Sequence, residues 1–192
     1  VALAGDRCRG HGAVVDIGRR QRAAPQKCRA VKAMVDHPAF NVAIFALLLS
    51  LPWEFGQMWL YAGASEMSHL RGIQICMAAT LGDAVIMLIA FGIVAAVARS
   101  QDWVLAPKTS QVAGFVVVGL AITIAVEMVA TRTDGAFSWR YTPAMPVTPL
   151  LSIGLAPLMM WLVVPLLVLW FVRRQIGRPT SVSSVKDTNC LT

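Results

Sequence analysis

The chain has 192 residues, 57% hydrophobic and only 14% charged, with a mean hydropathy of +0.64 and a formal net charge of +7. A soluble domain carries about 25% charged residues, so the composition and the long apolar runs exclude an ordinary soluble fold and place the chain in the membrane class. The charge is local: residues 1–33 hold eight Lys or Arg and two acids, which is six of the seven net positive charges, so no nucleic-acid partner is expected.

Residues 1–33 show no helical period and no apolar core of a signal peptide. Two readings stay open for them, a basic disordered cytosolic arm or a natural start at Met34, just ahead of the first apolar run. Basic residues beside a first span fix topology or touch anionic lipid. The four cysteines, Cys8, Cys28, Cys76 and Cys190, form no C-x-x-C and imply neither a disulfide framework nor a zinc site.

Four apolar runs follow, at Phe40 to Tyr61, Gly72 to Ala98, Val112 to Ala130 and Thr148 to Val172. Each has the ~20 residues that cross ~30 Å of hydrocarbon as a helix. The expected fold class is all-α, an integral membrane four-helix bundle over residues 39–172 that touches lipid on its outside. The tail, residues 173–192, is polar and expected to be disordered. Pro149, Pro157 and Pro165 lie in the fourth run and predict a kinked helix, since proline removes a backbone donor and crowds the preceding turn. Six Lys or Arg flank one side (Arg99, Lys108, Arg173, Arg174, Arg178, Lys186) and three the other (Arg71, Arg132, Arg140). That bias favours both termini in the cytoplasm even without the first 33 residues.

Three of the runs carry a carboxylate where lipid would not tolerate one. Ser50, Glu54, Gln57 and Tyr61 share one helical face in the first run. Cys76, Thr80, Asp83 and Met87 do so in the second, and Thr123, Glu127 and Thr131 in the third. At 1.5 Å per residue, Glu54 lies about 10 Å, Asp83 about 16 Å and Glu127 about 6 Å inside the outer boundary. Ionisable groups in a span face the bundle or a wet cavity, so the three stripes are expected to turn toward one another. Arg132 and Arg140, in the loop before the fourth run, are the expected cationic partners, most plausibly of Glu127. Trp59, Tyr61, Trp139 and Tyr141 fall near the same boundary and read as an aromatic belt. No M-x-x-M, H-x-x-M, phosphate loop or H-E-x-x-H occurs, and no metal or cofactor is expected.

At Trp53 to Tyr61 (WEFGQMWLY), Gly82-Asp83, Glu127, Trp139 to Pro146 (WRYTPAMP) and Pro157 to Pro165 (PLMMWLVVP), the chain resembles a family of small four-span bacterial inner-membrane proteins. The resemblance covers roughly Phe40 to Val172. It implies a multi-pass inner-membrane location and supplies no substrate, cofactor or catalytic residue.

The expected site is outward-facing and takes a small polar or cationic ligand, or relays protons. Glu54, Asp83 and Glu127 form it, Gln57 and Tyr61 orient the ligand, and Arg132 or Arg140 sets the carboxylate charge. An alternative is an enzyme acting on a lipid or isoprenoid, which needs two carboxyl groups within ~10 Å of each other beside an apolar groove. A further alternative is a scaffold or assembly subunit without a ligand. A transport path through only four spans needs more than one copy, so transport implies a homo-oligomer.

Overall fold

The computed structural model describes residues 34–134 and 138–177. The expectations for residues 1–33 and for the tail beyond Gly177 fall outside those residues, whereas residues 173–176, expected to be disordered with the tail, are helical. Among the described residues there are four long helices: α1, Pro38–Gln57; α2, His69–Ala98; α3, Thr109–Arg132; and α4, Leu155–Ile176. All four are long and apolar enough to cross a membrane, counting α1 through Leu60. The protein is an all-α, multi-pass membrane four-helix bundle.

Three of the helix starts follow from the local sequence. Pro38 opens α1, where its missing N–H would be unpaired in any case. Ser68 caps α2 by accepting from the Arg71 backbone N–H at 3.4 Å. Lys108 follows Pro107, and its N–H donates to the Gln111 side chain at 2.8 Å. Arg99 ends α2 in the left-handed region, with its N–H on the carbonyls of Ala95 and Ala96.

The fourth helix begins later than the apolar run suggests. Thr148 to Gly154 fold into a turn closed by an antiparallel bridge between Val147 and Gly154. The Thr148 N–H donates to the Ile153 carbonyl at 2.9 Å within it. Pro149 therefore lies outside the helix and Pro157 sits in its first turn, which leaves Pro165 as the proline inside α4. The expected three-proline distortion is corrected to one, because a first-turn proline forfeits no intrahelical bond.

Adjacent helices pack in a ring: α1 against α2 and α4, and α3 against α2 and α4. The buried stripe of α3 runs Phe115, Gly119, Thr123, Glu127 and Ala130, the i+4 and i+3 steps of one helical face. At Gly119 the backbone meets the Trp161 indole so closely that any Cβ would collide with it. Trp161 is fully buried there and locks α4 to α3.

The two ends of the bundle differ. At one end Trp103, from the short turn Gln101–Val104, packs between Phe91 and Phe115, with ring centroids 5.7 Å away on each side. Phe45 of α1 stacks on Phe171 of α4 toward that end, at 5.3 Å. At the other end the loop after α1 meets the loop after α3 through an antiparallel bridge between Tyr61 and Tyr141. The polar groups gather just inside this second end.

Candidate functional site

The loop before α4 is clipped to the end of α1 by main-chain bonds. Ala62 N–H donates to the Arg140 carbonyl at 2.8 Å, and Thr142 N–H to the Leu60 carbonyl at 2.9 Å. An extended segment points successive side chains to opposite faces. Trp139 and Tyr141 therefore turn inward together while Arg140, between them, turns out.

That alternation decides what Glu127 meets. Its Oε2 accepts from the Trp139 indole N–H at 3.0 Å and from the Tyr141 hydroxyl. Glu127 is buried, 5% exposed, on the inward stripe of α3. The expected pairing with Arg132 or Arg140 is corrected: both arginines are exposed, and Arg140 lies 3.6 Å from Asp134 at the surface. The arginines lose the competition because desolvating a guanidinium is costly, whereas an indole and a phenol carry their donors on rings that prefer burial. The belt reading of Trp139 and Tyr141 is likewise corrected to that of inward donors.

Tyr61 fills the space beside them, edge-on to Trp139 at 6.4 Å and tilted against Tyr141 at 5.8 Å. Burial is the first cause that pushes the Tyr141 phenol above its ordinary range, and its hydrogen bond to Glu127 is the second. Trp59, by contrast, is 63% exposed in the short turn Met58–Leu60 that follows α1.

The α1 and α2 acids join the same cluster. Gln57 is buried and donates to Glu54 Oε1 at 2.7 Å, while Trp53 Nε1 donates to Gln57 Oε1 at 3.2 Å. Glu54 and Asp83 are close enough to share a side-chain hydrogen bond, and both lie within the field of Glu127. A hydrogen bond between two carboxyl groups needs a proton on one of them. With both ionised, the same two oxygens face each other with no donor between them, and Asp83 Oδ2 is among the buried atoms that no other side chain or backbone group satisfies.

The expected stripes are thus brought together: Glu54, Gln57, Tyr61, Asp83 and Glu127 meet inside the bundle, and Arg132 and Arg140 do not. Cys76 lies two turns from Asp83 toward the loop end on α2, with its thiol 3.6 Å from the Met58 sulfur. His69 and Arg71 are exposed at the start of α2 and stay outside. Among the described residues, no three His, Cys, Asp or Glu side chains are grouped as metal ligands.

Two open cavities border the cluster from α1. One, of about 330 Å³, is lined by Pro52, Trp53, Gly56, Trp59, Leu60 and Ala156 and reaches Gln57. The other, of about 340 Å³, reaches Tyr61 from the loop end between Trp59, Ser65 and Thr142. Chemically, the arrangement offers carboxyl oxygens on three helices, neutral donors that fix two of them, Glu54 and Glu127, and, among the described residues, no positive side chain. No protein-family model, curated protein or solved structure matches the chain.

Proposed function

We propose that this is a multi-pass inner-membrane protein whose carboxyl cluster receives a small positive charge, a proton or a cationic ligand, from the periplasmic side. One observation carries the reading. Glu54, Asp83 and Glu127 come from three helices to one interior, and no Lys or Arg among the described residues accompanies them. Buried carboxylates left without a counter-charge are costly, because the field of each falls on the others in a medium of low dielectric. A proton or a bound cation removes that cost, so the site is built to be completed by one. Glu54 and Asp83 hold the charge, Gln57 orients Glu54, and the Trp139 and Tyr141 donors keep Glu127 in place.

The thermal stability of the purified protein tests this. The wild type should melt higher at saturating cation or on acidification. Glu54→Gln, Asp83→Asn and Glu127→Gln should each blunt that response while keeping the helical circular dichroism. An unchanged response in all three removes the reading.

A lipid-active enzyme is a second reading, favoured by the apolar cavity that runs from the outside of α1 to Gln57. Turnover of a lipid or isoprenoid that Glu54→Gln abolishes would select it.

A further inference from the structure

Hydroxyls on membrane helices usually satisfy themselves by donating to the carbonyl one turn back. Thr80 does so to Cys76 at 2.8 Å, and Thr131 to Glu127 at 2.7 Å. Ser50 and Thr123 do not. Ser50 is fully buried and Thr123 is 6% exposed, yet neither Ser50 Oγ nor Thr123 Oγ1 has a hydrogen-bond partner among the described residues. Each unsatisfied buried polar group calls for a physical explanation such as a water or an ion.

Their positions supply one. Ser50 lies one helical turn inward from Glu54 on α1, and Thr123 one turn inward from Glu127 on α3. The Cys76–Met58 contact sets the register of α2 against α1, since stepping inward from it brings Asp83 between the levels of Glu54 and Ser50. Asp83 Oδ2 is a third buried oxygen, with no donor besides a proton shared with Glu54. Below this level the Trp161 indole fills the space against Gly119. Ser50 and Thr123 thus stand one turn inward of Glu54 and Glu127, and Asp83 stands at a level between Glu54 and Ser50, so that one carboxylate and two hydroxyls from three helices follow the two outer carboxyls inward.

We infer that Ser50, Asp83 and Thr123 form the inner coordinating group for a partly hydrated alkali cation, which Glu54 and Glu127 admit from the loop end. The inference rests on the cation reading above and names its ligand class. Oxygen-only donors select hard ions over soft ones. A single carboxylate beside two neutral hydroxyls balances a single positive charge and leaves a divalent ion such as calcium under-neutralised. Cation and proton cannot both occupy the space between Glu54 and Asp83, so the cation should bind more tightly as pH rises. The titratable groups facing that space are Glu54 and Tyr61 from α1 and its end, Cys76 from α2, Glu127 from α3, and Tyr141 from the following loop. The ionisable residues of α4, Arg173 and Arg174, lie in its last turn at the opposite end.

The test is thermal unfolding of the detergent-purified full chain in sodium chloride against choline chloride at constant ionic strength. Sodium should stabilise the wild type saturably. Ser50→Ala and Thr123→Val should each raise the half-saturating sodium concentration by about tenfold, the effect of losing one polar contact of ordinary strength. Thr123→Ser keeps the hydroxyl and should keep the wild-type midpoint, which guards against a variant that merely misfolds. Wild-type midpoints in both Ser50→Ala and Thr123→Val overturn the inner group, and if Asp83→Asn still shifts the midpoint, the carboxyl reading survives alone. Equal melting of the wild type in sodium and choline, with no response to acid either, overturns both readings and leaves buried water as the partner of these oxygens.

Discussion

Tyr141 donates its hydroxyl to Glu127, fourteen residues earlier in the chain, and so ties the loop before α4 to the inward face of α3. The Tyr61–Tyr141 bridge and the Thr142–Leu60 bonds extend that tie to the end of α1. A buried carboxyl is thereby held by neutral donors on a segment that also closes the bundle end.

Removing one of those donors should be felt in stability. Tyr141→Phe and Trp139→Phe each leave Glu127 Oε2 short of a partner, which costs about 1–3 kcal/mol for a buried group. Because both donors serve the same oxygen, the double variant should be non-additive. Arg140→Ala, at an exposed pair, should leave the melting temperature unchanged. Denaturation in detergent micelles measures all four.

The Tyr141 phenol should ionise above the ordinary tyrosine range while the protein is folded. The chain has two tyrosines, so Tyr61→Phe isolates the signal of Tyr141 in a tyrosinate absorbance titration. An unfolded tyrosine titrates near pH ~10. Since the folded group keeps its proton to higher pH, the contribution to stability is fully present below about pH 10 and declines as pH rises beyond it. A Tyr141 that titrates at the ordinary value when folded would contradict its burial against Glu127.

Gly119→Leu should unfold or loosen the α3–α4 contact, since even a Cβ at this position runs into Trp161. Overpacking of this kind costs about 1–3 kcal/mol or more. A melting temperature equal to that of the wild type would mean that Trp161 does not sit where α3 and α4 cross.

Both chain ends are proposed to lie in the cytoplasm. A fluorescent-protein fusion to the C-terminus should fluoresce and an alkaline phosphatase fusion should stay inactive. The reverse pattern would turn the carboxyl cluster toward the cytoplasm.

Much of this was legible from spacing alone. Apolar length predicted the four helices, and i+3 and i+4 steps placed Glu54, Asp83 and Glu127 on inward faces, because a helix in lipid has nowhere else to put them. The start of α4 was not legible, since Val147 to Gly154 are apolar enough to pass for helix and only the Val147–Gly154 bridge shows the turn. The partner of Glu127 is not legible from charge, because burial selects ring donors over an exposed guanidinium. The W-R-Y spacing held the signal, two ring donors two residues apart with the arginine between them. The state of Ser50 and Thr123 was hidden for another reason: whether a hydroxyl bonds its own helix is a rotamer choice that the sequence does not record.

Labelling with an apolar carbodiimide, mapped by mass spectrometry, tests the carboxyl cluster most directly. Such a reagent can enter from the lipid side through the cavity that ends at Gln57. The adduct should form on Glu54 or Asp83, should be suppressed by added sodium, and should vanish in the Glu54→Gln, Asp83→Asn double variant. Adducts confined to exposed acids such as Asp36, Glu66, Asp102 and Asp134, or labelling of Glu54 and Asp83 that sodium leaves untouched, would contradict a shared interior site for positive charge.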